Sequence, residues 1–213
     1  MKMSKEKAPS VSEHLHDPEF IKKIRDQVLQ DIEYIKNFKS VAPKAKPVTE
    51  WKNAKMVKIT TQSIYPQVYG FLMKNFNRAE TIVRLREMGR RAVPVFYSIH
   101  GQRLSKKGSL LEVLREIGAH SRERATIKEQ TKKNGIIQKY VLKKYKCVFC
   151  TEGYPVENTD IPYCYPSVAF WQQYYNIRSL YLGNMKPRLI YVDVTKTAEN
   201  DDDYCLYSVE ALE

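Results

Sequence analysis

Long apolar runs are missing from this sequence. No stretch approaches the ~18 residues that a membrane-crossing helix requires, so no such helix is expected. Residues 1–10 are charged and hold no apolar signal-peptide core, which argues against secretion and favours a cytoplasmic or nuclear protein. Cysteine is sparse: Cys147, Cys150, Cys164 and Cys205 make no disulfide framework for 213 residues, and a reducing compartment fits them best. Only Cys147 and Cys150 have ligand spacing, on a strand they point to opposite faces, and no histidine follows His120. No metal and no other cofactor is therefore expected. HExxH, GxSxG and a phosphate-binding glycine loop are all absent. Asp193 and Lys196 have no acidic companion to make a nuclease pair, so the chain is expected not to be an enzyme.

Acidic residues are also in deficit. Against 36 Lys and Arg stand 24 Asp and Glu, a net charge of +12. An excess of that size suits a nucleic-acid or acidic-surface binder, or a subunit of a large ribonucleoprotein-like particle. Tyrosine is abundant but unevenly spread. Eleven of the 15 tyrosines lie between Tyr140 and Tyr207, and three in the first 90 residues. The two halves of the chain therefore have different work to do.

Local signals place the elements. Asp17-Pro18-Glu19 starts a helix, with an Asp cap, Pro in the first position and an acid in the first turn. Ile21, Ile24, Val28, Ile32 and Ile35 follow at spacings of three and four, predicting an amphipathic helix over residues 18–38. Its stripe is available to this chain or to a protein partner. Residues 40–50 read as a linker and 55–60 as a strand. A helix is expected over 65–76 and another from Asn77, ended by Gly89. Residues 92–99 read as a strand, 109–117 as a helix. Asn134-Gly135 between alternating runs predicts a β-hairpin over 125–142. Phe170, Trp171, Tyr174 and Tyr175 share one broad face of a short helix opened by Pro166 and ended at Asn176. Residues 189–194 and 204–209 then read as strands.

From residue 93 on, this order of elements resembles the PAZ domain of the Argonaute/Piwi family. The resemblance is carried by Val95-Phe-Tyr-Ser-Ile-His-Gly-Gln-Arg-Leu, by Phe170-Trp-Gln-Gln-Tyr-Tyr-Asn-Ile177, and by Pro187-Arg-Leu-Ile-Tyr-Val192. It implies an α+β fold: a small twisted OB-like β-barrel over residues 92–213 with an inserted hairpin module. Ahead of it would lie a helical N-terminal region (17–91) and a flexible tail (1–16). By the same resemblance Tyr140, Phe170 and Tyr175 would line an aromatic cleft for the 3′ end of single-stranded or 3′-overhang small RNA. Tyr145, Tyr154 and Tyr174 would support them, with Lys139, Lys143 and Lys144 meeting phosphate. Such a site would serve an RNA-silencing pathway. Two other readings of the same residues stay open: a structural subunit of a ribonucleoprotein or other large assembly, and an adaptor whose aromatic cleft takes a peptide.

Overall fold

A computed structural model describes residues 15–37, 60–100, 113, 124–133, 136–145, 161–181, 188–196 and 204–212. Tyr154, Cys147, Cys150 and the predicted linker lie outside these residues. So does the predicted strand at 55–60, except Thr60, which opens a π-helical turn (Thr60–Ile64). Of the helix expected over 109–117 only Val113 is described, helical and fully buried.

Helix α1 (Pro18–Asn37) begins as its sequence predicts, with the Asp17 carboxylate accepting the Glu19 N–H at 2.9 Å. Its stripe of Ile24, Val28 and Ile32 is buried in this chain's own core, with Ile21 and Ile35 packed at the margin. The stripe is thus used internally rather than offered to a partner. Helix α2 (Tyr65–Asn75) carries Pro66 in its first turn, where a missing N–H costs nothing. Asn77 then caps helix α3 (Arg78–His100): its Oδ1 accepts the Glu80 N–H at 3.0 Å and its Nδ2 donates back to Glu80 Oε2.

Helix α3 departs from the sequence expectation. It runs without interruption through Gly89 and through residues 92–99, read above as a strand, and carries Pro94 inside it. The reason is a tertiary one. Thr81, Leu85, Gly89, Val93 and Tyr97 recur every fourth residue and are all buried. The first part of that stripe, Thr81 and Leu85, packs with α2, its later part faces helix α4 (Tyr165–Tyr181), and the burial outweighs both the proline and the β-branched residues. Gly89 is not a stop. A Cβ there would lie 1.9 Å from the Pro166 carbonyl oxygen, so glycine lets two backbones touch.

Strands β1 (Arg124–Lys133) and β2 (Ile136–Tyr145) form the antiparallel hairpin predicted from Asn134-Gly135. β3 (Ile190–Lys196) and β4 (Tyr204–Ala211) complete an antiparallel sheet in the order β1-β2-β4-β3. Tyr140 is paired with Val209, and Val209 with Val192. β1 and β3 stand at opposite edges of the order, so among the described residues the sheet is open and the expected OB-like barrel is not seen. Its core is supplied by another layer. α4 packs against β3 on one side and against α3 and α1 on the other. Only Phe170, Gln172, Leu180 and Tyr181 of α4 escape full burial, as befits a helix with a layer on each side.

Candidate functional site

The aromatic helix that was expected to wall a cleft is the centre of the core. Trp171, Tyr174 and Ile177 have essentially no exposed surface. The Tyr174 ring stacks on Tyr97 of α3 with centroids 4.9 Å apart, and the Tyr97 hydroxyl donates to the Tyr174 carbonyl at 3.0 Å. Phe170 meets Phe96 edge-on at 5.4 Å, and Trp171 meets Tyr207 of β4 edge-on at 6.5 Å. Tyr175 is buried; desolvation raises its pKa, partly offset by Arg188 and by a hydrogen bond to Ser179. Phe170 thus turns toward α3, whereas Tyr175 lies beside Arg188 and Ser179. Asn176, expected as a helix end, is inside α4. Its amide accepts the Ile190 N–H at 2.9 Å and donates to the Ile190 carbonyl at 3.1 Å, fixing α4 to the start of β3.

Two of the basic side chains expected to meet phosphate, Lys139 and Lys143, have partners within the sheet. Lys139 sits opposite Glu210 in the β2–β4 register and ion-pairs with it at 2.6 Å. The Lys143 ammonium lies 3.7 Å from the centre of the Tyr204 ring. Lys144 and Tyr145 take their places opposite Cys205 and Tyr204 along β2. Of Tyr140 the structure gives the backbone alone, opposite Val209 in the sheet.

Two guanidinium clusters were not singled out from the sequence, where Arg84, Arg86, Arg90 and Arg91 look alike. Arg86 and Arg90 are one helical turn apart and flank the buried stripe at Leu85 and Gly89, and that spacing is the signal that separates them. Arg86 Nη2 donates to Gln172 Oε1 (2.6 Å) and to the Val192 carbonyl (3.0 Å). Its Nη1 stands 3.7 Å from Asp193, and its plane lies over Tyr191 at 4.6 Å. Burial raises the Asp193 pKa, against the lowering effect of Arg86. Arg90 joins three helices: Nη1 reaches Asp31 of α1 at 2.5 Å, Nε and Nη2 grip Glu87 at 2.7 Å, and Gln173 of α4 donates to the same Asp31 oxygen at 2.8 Å. The hydrogen bond from Arg90 leads in drawing the Glu87 pKa down to about 2. Both clusters are welded to the fold by protein groups.

What remains for chemistry is the surface. Among the described residues no group of three or more metal-ligating side chains gathers, and no helix is long and apolar enough to cross a membrane. Ile64, Phe71, Val83, Met88 and Val95 of the α2–α3 region are large apolar residues left exposed, as are Leu29, Tyr34 and Tyr181. Apolar groups on helix faces are the material of protein interfaces.

Among the described residues, a four-stranded antiparallel sheet layered on a buried helix, with more helices outside, defines an α+β fold. No family model and no curated protein matches the chain. Among solved structures, its fold is similar to that of a trafficking protein particle complex subunit 3 from Naegleria fowleri, covalently bound to palmitic acid. The TM-score is 0.54 at 14% identity, over 77% of this chain and 98% of that one. Nearly the whole of that subunit is therefore matched, by an architecture that is not a PAZ domain. The PAZ resemblance is overturned, and with it the expected small-RNA function and RNA 3′-end partner. Phe170, Trp171 and Tyr174 of the motif that suggested an aromatic cleft join α4 to α3 and β4.

Proposed function

We propose that this protein is a non-catalytic structural subunit of a multiprotein assembly, of the kind to which the trafficking protein particle complex subunit belongs. The observation that carries the reading is the match of the fold to 98% of that subunit. Two features of the chain support it. The clusters of charged residues are spent on joining helices, and the large apolar residues left over lie on outer helix faces. The second reading weighed from the sequence, a subunit of a large assembly, thus replaces the first.

The test is recovery of the tagged chain from its native cells under mild cross-linking, followed by sizing and mass spectrometry. A complex much larger than the chain, with partners at fixed stoichiometry and no nuclease sensitivity, is expected. Recovery as a free monomer, or loss of the complex on RNase treatment, would refute the proposal.

A further inference from the structure

The outer face of α3 combines apolar and basic residues in one stripe. Arg84, Met88, Arg91 and Val95 follow at spacings of four, three and four, which aligns them along one side of the helix. All four are exposed, Met88 by 39% and Val95 by 47%. The stripe extends onto α2. The Arg84 guanidinium lies 3.9 Å over the Phe76 ring, and Phe76 meets Phe71, itself 59% exposed, edge-on at 6.3 Å. The Arg91 side chain is 75% exposed even though its Nε holds Glu87 at 2.6 Å.

We propose that this face docks an amphipathic helix of a different chain, one with an apolar stripe bordered by carboxylates. The charge pattern selects that occupant. A second copy of this chain is disfavoured, because an antiparallel α3–α3 pairing centred near Met88 sets Arg84 against Arg91. A parallel pairing sets each arginine against itself. Like charges brought together in a partly dry interface are costly. A hydrocarbon surface is disfavoured too, because the arginines alternate with Met88 and Val95 inside the stripe instead of flanking it. Glutamates on a facing helix satisfy both guanidinium groups while its leucines cover Met88, Val95 and Phe71. The inference deepens the subunit reading by giving the partner's chemistry.

The experiment uses the full chain and two synthetic helical peptides. Both carry leucine at i, i+4 and i+7; one is flanked by glutamate and the other by lysine. Fluorescence anisotropy should show the acidic peptide binding about tenfold tighter or better, the sum of two exposed charge pairs. Arg84→Gln with Arg91→Gln should erase the preference, and Arg84→Glu with Arg91→Glu should invert it. Circular dichroism confirms that each variant is folded. Equal binding of both peptides, or none, overturns the proposal. So does a dimer of the chain alone that Met88→Arg dissociates, and so does binding to phosphatidylserine vesicles that the acidic peptide does not displace. In native cells, a charge-reversed chain that keeps its full set of partners sinks this face and leaves the subunit reading standing. A wild-type chain recovered alone sinks the subunit reading, whatever the peptides do.

Discussion

Replacing Gly89 by alanine should destabilise the protein, although alanine is the better helix former. The added Cβ would lie 1.9 Å from the oxygen, 2.6 Å from the carbon and 2.8 Å from the Cα of Pro166, all backbone atoms of α4. No side-chain rotation relieves that contact. The helices would have to part by about 1.5 Å to bring the shortest distance to 3.4 Å, the start of ordinary van der Waals contact. Parting them loosens the packing of Leu85, Val93 and Tyr97. Overpacking a core costs about 1–3 kcal/mol and more where backbone must move. The gain in helix propensity recovers about 1 kcal/mol. A net loss of roughly 2 kcal/mol corresponds to a fall in Tm of about 4–8 °C for a chain of this size. Gly70 on α2 is the matched control, since a Cβ there meets nothing within 4 Å and the residue is exposed. Gly70→Ala should therefore stabilise by about 0.5–1 kcal/mol. Thermal denaturation of the two variants beside the wild type decides the matter. If Gly89→Ala melts at or above the wild type, the helices do not touch there and the reasoning is wrong.

Asn176→Ala removes both side-chain bonds to the Ile190 backbone and leaves a buried N–H and C=O unmade. A loss of about 2–4 kcal/mol is expected by denaturant titration, with hydrogen exchange at the start of β3 rising in step. Acid should loosen the α1–α3 junction. The Glu87 pKa lies below its ordinary value, so its stabilising contribution is complete above pH 4.5 and is lost as pH falls toward about 2. Glu87→Gln should flatten that part of the stability–pH curve; an unchanged curve would count against the Arg90 clamp. Asp193 acts in the opposite sense, since its raised pKa favours the protonated form in the folded state. Oligonucleotides with a free or a blocked 3′ end should bind equally weakly and without response to Tyr140→Ala, and a clear preference for the free end would revive the discarded reading.

The elements whose signals are local were legible in the sequence. The stripe from Ile21 to Ile35 and the Asp17-Pro18 start define α1, because periodicity and capping act within a few residues of one another. Asn134-Gly135 placed the β1–β2 hairpin for the same reason. The prediction failed wherever the deciding contact lies far along the chain. Gly89 reads as a helix stop until Pro166 is set against it, and residues 92–99 read as a strand until Val93 and Tyr97 meet α4. Phe170, Trp171, Tyr174 and Tyr175 have the same composition whether they wall a cleft or fill a core. Tyr97 and Phe96 from one side and Tyr207 from the other settled it, and no spacing within the helix could have. Whether the sheet closed or stayed open was likewise outside the reach of strand patterns, since each strand alternates equally well in either. With α4 laid against β3 and capped by α3, the apolar side chains are covered without a barrel. Arg84, Arg86, Arg90 and Arg91 are chemically identical, and the placement of the neighbouring helices and of β3 turned Arg86 and Arg90 inward and left Arg84 and Arg91 to the outside.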